Sequence, residues 1–278
     1  MISWSSPAAP PRWQTAVSEP LPAWLRGASA QSKLAHAMAK LPVVTLYQPP
    51  TRPWGTPNLS PFCSKLETYL RLAKIDHTVA LSDMRRAPKG KIPYVRIGDE
   101  LMGDSQLIIE RLESLRDEPL DHWLDPAQRA LAHAVRRMLE EGLYFVLMAS
   151  RWDSQWTASH QREAFTKVLP AGIRWAFPLI VRDVKKKLRS QGTGRHTEAE
   201  RNEMGVKDLE SVATLLGEKR YFLGDRPSTV DATVFAFVSG VLVFPGDSKL
   251  RAFARAQKNL VEYESRMRAE LFPELIER

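Results

Sequence analysis

Cysteine is nearly absent: Cys63 is the single thiol in 278 residues. That excludes a disulfide framework within the chain and fits a reducing compartment, so a cytoplasmic location is expected. No apolar run approaches the ~20 residues that a membrane-spanning helix needs. The longest, Ala232–Pro245, is interrupted by Thr233, Ser239 and Gly240 and suits a buried core helix better. The six histidines show no metal-ligand spacing, so no metal is expected. A phosphate-cradling glycine loop, a serine-hydrolase elbow, paired catalytic carboxylates and internal repeats are missing too.

What remains is ordinary globular material. Hydrophobic residues make up 44% and charged residues 26%, over a length that can bury a core and hold two modest domains. The net charge of +8 raises a nucleic-acid partner as a possibility. The basic residues are scattered, however, except at Lys185–Arg189. That run falls at an expected helix end, where the dipole favours cations, and no nucleic-acid partner is expected.

Residues 1–41 differ from the rest, with Pro7, Pro10, Pro11, Pro20 and Pro22 and one acid, Glu19. Arg12 and Arg26 in so acid-poor a stretch suggest a transit peptide, but the prolines and the lack of an amphipathic Arg-bearing helix argue against it. The segment reads as a tail with Trp4, Trp13 and Trp24 free to pack, and Gln31–Ala39 as a short helix.

From residue 42 to 117 the pattern is strand and helix. Val43–Tyr47, His77–Leu81, Ile92–Ile97 and Glu100–Met102 read as strands, and Ser82–Pro88 as irregular. Phe62, Leu66, Tyr69, Leu70 and Ala73 have helical spacing over Pro61–Ile75. A further helix begins at Asp104-Ser105 and ends near Leu115. That order is the order of a thioredoxin-like domain. Residues 118–278 read as helix only, over Pro126–Ser150, Ala158–Leu169, Ala171–Leu188, Thr197–Leu216, Ser228–Val243 and Lys249–Arg268. Thr197-Glu198-Ala199-Glu200 and Ser228-Thr229-Val230-Asp231 are capping boxes.

The string SPFCSKLETYLRLAKI, followed by KGKIPYV and DSQLIIERL, resembles the N-terminal half of the cytosolic glutathione transferases. Tyr221–Ser228 leading into the last capping box is similar to their most recognisable C-terminal feature, and Gly192–His196 to a loop of the failed-axon-connections and metaxin-like branch. The resemblance covers Val43 to Phe272. It implies the glutathione transferase fold: an α+β thioredoxin-like domain with a four-stranded mixed sheet, then an all-α domain. It also implies glutathione as co-substrate, no metal, and a possible homodimer.

By the same resemblance, Ser60 stands where the family places its catalytic Ser, Tyr or Cys. Exposed N–H groups at a helix start stabilise an anion, and a hydroxyl beside the sulfur favours the reactive thiolate. Ser60 is equally a good N-cap, with proline at the first helical position. Cys63 reads as a core thiol, or else as the nucleophile of a thiol transferase or peroxidase. Pro93 matches the family's cis-proline, which leaves the backbone of Ile92 to pair with the cysteinyl part of glutathione. Asp104 and Ser105 match the γ-glutamyl site, or are plain cap residues. Lys91, and Lys89 beside it, can pair with the glycyl carboxylate. Trp54, Tyr144, Met148, Arg151 and Trp152 are candidates for the second-substrate pocket, and equally for core. The function expected is detoxifying conjugation of glutathione to a small apolar electrophile. The alternatives are a noncatalytic, metaxin-like adaptor and a Cys63-dependent enzyme.

Overall fold

The first element among the described residues is β1 (Val44–Gln48), where Val44, Leu46 and Gln48 are buried and the residues between them half-buried. A loop of Pro49–Leu59, long for a strand–helix connection, leads to α1 (Pro61–Leu72). β2 (His77–Leu81) pairs parallel with β1. β3 (Tyr94–Ile97) lies antiparallel on the other side of β1, and β4 (Glu100–Gly103) antiparallel to β3. The order β2-β1-β3-β4 is the four-stranded mixed sheet that the sequence implies. The computed structural model describes residues 43–153, 163, 177–245 and 248–276. The N-terminal tail with its tryptophans, Gln31–Ala39, all of Ala158–Leu169 except Glu163, and the first part of Ala171–Leu188 lie outside the described residues.

Register decides where a site can form. Tyr47 is opposite Tyr94, and Tyr94 is opposite Gly103. The loop after β1, the Ile92–Pro93 bond before β3 and Asp104 after β4 therefore share one end of the sheet. α2 (Ser105–Ser114) starts there. α1 and α2 cover one face, with Leu66, Leu70, Ile108 and Leu112 packed on Val44, Leu46 and Val95. Burying such side chains is worth about 1.5–3 kcal/mol each.

The helical part starts with α3 (Pro126–Arg137), passes through a turn of π-helix at Met138–Leu143 and continues as α4 (Tyr144–Asp153). α5 (Phe177–Gln191), α6 (Glu198–Leu216) and α7 (Thr229–Leu242) follow. Both expected capping boxes form. The buried Asp231 carboxylate also accepts from Phe222 N at 2.7 Å and from the Tyr263 hydroxyl at 2.9 Å, fixing the entry to α7. α7 is apolar nearly all round because it lies between α1 and the other helices.

The expected helix Lys249–Arg268 divides at Gln257 into α8 (Lys249–Ala256) and α9 (Lys258–Leu271). No glycine or proline marks the break. Asn259 Nδ2 donates to Ala213 O at 2.8 Å and Gly217 O at 3.0 Å, so its amide satisfies carbonyls at the end of α6. A tertiary bond here overrides helix propensity.

Asp208 of α6 packs close to Gly142 of the π turn, and burial pushes its carboxyl up from about 3.8 to about 6. A raised folded-state value means that its favourable contribution is complete below pH ~4 and is lost as pH rises through ~6. Asp208→Asn should therefore raise the thermal midpoint above pH 7 and leave it unchanged near pH 4. Melting curves across that range check this, and an equal shift at both ends would exclude a titrating Asp208.

Candidate functional site

The loop after β1 is held by side chains rather than by its own ladder. Asn58 Nδ2 donates to Pro49 O at 2.8 Å, and Thr56 Oγ1 to Pro53 O at 2.8 Å. Two arginines from the helical part take its outward carbonyls: Arg151 Nη1 donates to Leu59 O at 3.1 Å, and Arg268 Nη1 to Gly55 O at 2.6 Å. This pinning delivers Ser60 to the start of α1. Ser60 N donates to Asn58 Oδ1 at 3.1 Å, and Ser60 Oγ accepts from Cys63 N at a long 3.5 Å. The hydroxyl is half-exposed at the positive end of a twelve-residue helix, where it holds a weak cap bond and also hydrogen-bonds the Cys63 side chain. It can donate its own proton to an anion there.

Cys63 lies in the first turn of α1, fully buried, with its thiol pushed up to about 12 by burial. At neutral pH it is a thiol inside the core, and nucleophilic chemistry at this position is disfavoured.

At the same end of the sheet the Ile92–Pro93 bond is cis, as the resemblance implies. Asp104 is the N-cap of α2, its Oδ1 accepting from Gln106 N at 3.0 Å and Leu107 N at 3.2 Å. Its backbone has φ 85° and ψ 114°, a conformation that costs a non-glycine residue of order 1–3 kcal/mol and clusters at ligand sites. Ser105 is buried as the first helical residue. Lys91 and Lys89 are both exposed.

The ion network behind these residues is what sequence reasoning missed. Lys65 of α1 is fully buried, and its Nζ donates to Glu140 Oε1 at 2.5 Å and to Gln106 Oε1 at 2.7 Å. Glu140, projected inward by the π turn, also accepts from Arg136 at 2.9 Å. One lysine thus ties α1, the start of α2 and the helical part together. Two residues on, the buried Glu67 pairs with Arg52 at 2.5 Å and Arg71 at 2.8 Å and accepts from Gln48 Nε2 at 2.7 Å. The signal for Lys65 was available: it lies three residues after Phe62 and four before Tyr69, on the apolar stripe of α1.

The five candidates for the second-substrate pocket are not gathered round one cavity among the described residues. Trp54 and Arg151 meet on Phe244, at 5.1 Å edge-on and 4.8 Å over the ring. Tyr144 packs against Phe62 at 4.9 Å, close to the start of α1. Burial raises its phenol and lowers the Arg151 guanidinium to about 10. Trp152 is buried and stacks on Phe177 at 5.9 Å, with Met148 beside this small core. The cleft between the pinned loop and α7 measures about 10 Å³, room for about one water molecule at most and far below the ~300–1,000 Å³ usual for ligand pockets. Trp152 and Met148 are thus core residues, and Arg151 holds the loop. Tyr144 packs on Phe62 in the first turn of α1.

Comparison with known proteins agrees with this architecture. The family profile described as glutathione S-transferase N-terminal domain matches residues 61–157, and the glutathione S-transferase C-terminal domain matches residues 205–267. The failed axon connections protein of Drosophila melanogaster is 32% identical over 84% of this chain, which spans 59% of that protein's length. The isoprene-epoxide–glutathione S-transferase of a Rhodococcus strain is 29% identical over 77% of this chain and 94% of its own. Human metaxin-1 is 26% identical over 79% of this chain and 49% of its own. Among solved structures, a Sphingobium β-etherase aligns over 84% of this chain and 98% of its own, with a TM-score of 0.57 and 16% identity. A Methylobacterium radiotolerans glutathione S-transferase in complex with glutathione sulfonate aligns over 84% and 93%, with a TM-score of 0.55 and 16% identity. At such identity the structures establish the fold alone. With both halves of the fold matched in order, the chain belongs to the glutathione S-transferase superfamily.

Proposed function

We propose that the chain binds glutathione across the starts of α1 and α2 and joins it to a small electrophile. The carrying observation is the half-exposed Ser60 hydroxyl at the positive end of α1, with Ser105 and the strained Asp104 at the same end of the sheet. Ser60 donates to the glutathione sulfur and favours its thiolate. The γ-glutamyl carboxylate meets Ser105 at the start of α2, and Ile92 offers its backbone to the cysteinyl part. Lys91 is the cation available to the glycyl carboxylate. In the transfer the thiolate forms a carbon–sulfur bond while the electrophile's bond to its leaving atom breaks, the thiol proton having gone to solvent. The Rhodococcus relative, whose name states an epoxide and glutathione, supports this reading.

Thiol consumption in the presence of a small epoxide tests it: turnover above the uncatalysed rate is expected, and none at any glutathione concentration would remove the transferase. A noncatalytic adaptor is the second reading. It is favoured by relatives whose names state no reaction, and by the structural role that Ser60 already fills as a cap.

A further inference from the structure

α5 turns a basic side outward. Its buried side is apolar, with Phe177, Val184 and Leu188. On the other side Arg182, Lys186 and Arg189 follow one another at spacings of four and three, which aligns them along one face. With Ser190 and Arg195 they line a shallow groove of about 540 Å³ that has no acidic residue in its wall. The acid nearest in sequence, Asp183, is paired with Lys187 at 2.6 Å. Among the described residues none of these four cations has a carboxylate partner.

The fourth cation is brought by a specific device. The 3-10 turn Thr193–Arg195 folds back on the end of α5, and Arg195 Nε donates to Arg189 O at 2.9 Å. A Cβ on Gly194 would stand 2.8 Å from Arg189 N and from the Leu188 carbonyl carbon, so only glycine permits the contact. The helix dipole accounts for Arg189 in the last turn. It does not account for Arg182, about two and a half turns from the end. Like charges four apart on a helix repel, so the cluster is retained against a local cost.

We propose that this face docks on an anionic lipid surface. Leu179 is 56% exposed and lies on the same side of α5, one turn before Arg182, adding an apolar side chain to the basic row. Basic residues with an exposed leucine suit a headgroup layer. A single-stranded nucleic acid would call for aromatic stacking platforms, and no aromatic residue lines the groove. No helix among the described residues is long and apolar enough to cross a membrane. The proposal is independent of glutathione chemistry.

Flotation of the full chain with phosphatidylcholine vesicles, with and without phosphatidylserine, tests it. Binding is expected only with phosphatidylserine and is expected to fall with added salt. Arg182→Glu with Lys186→Glu should lower it about tenfold. Arg182→Gln with Lys186→Gln and, separately, Leu179→Ala should lower it less, all with unchanged melting midpoints. Equal flotation of the charge-reversed variant, flotation with phosphatidylcholine alone, or no flotation would overturn the proposal. So would tight binding to a single-stranded RNA oligomer that vesicles cannot displace.

Discussion

Glu140→Ala should destabilise the protein by about 3–5 kcal/mol, because it strands the buried Lys65 ammonium without a counter-charge. For a unit of this size that is a fall in melting midpoint of about 10 °C or more. The cost comes from the unpaired charge rather than from lost packing, and a second variant separates the two. Lys65→Met combined with Glu140→Leu removes both charges, fills similar volume, and should recover most of the stability. Gln106 loses a donor and Arg136 its carboxylate in that variant, but both are half-buried and can turn to water. If the double variant were as unstable as Glu140→Ala, packing at the π turn rather than charge pairing would hold the helical part to α1.

Ser60→Ala should lower kcat/KM for glutathione conjugation about a hundredfold, or about 2.7 kcal/mol of transition-state stabilisation. Its effect on stability should be small, about 0.5–1 kcal/mol, because the cap bond it removes is already 3.5 Å long. Cys63→Ala should leave turnover near the wild-type rate, since the thiol is buried and protonated. Steady-state kinetics on the two variants settle the order. Loss of activity in Cys63→Ala with Ser60→Ala spared would assign a thiol-transferase mechanism, and indifference to both would favour the adaptor.

The sheet was legible because each strand carries its own local signal. Val43–Tyr47 is β-branched and apolar, Pro93 opens β3, and Gly98-Asp99 turns β3 into β4. The helix starts were legible for the same reason, since the capping boxes at Thr197 and Ser228 satisfy backbone groups three residues away. What the sequence did not show were partners far along the chain. Glu140 stands 75 residues from Lys65, and Arg151 stands 92 residues from the carbonyl it holds. No periodicity reports such pairs. The Arg151-Trp152 pair was legible as something unusual near a helix end, but not as one residue tied to a loop and the other to a core. Likewise Asn259 breaks a helix through bonds to α6 that no local rule anticipates.

The most direct test of the account is calorimetric titration of the protein with glutathione, repeated on Ser105→Ala. Saturable binding to the wild type is expected, weakened about tenfold or more in the variant, as loss of a hydrogen bond to a carboxylate implies. No heat and no thermal stabilisation of the wild type at millimolar glutathione would contradict the site at the starts of α1 and α2, and the transferase with it.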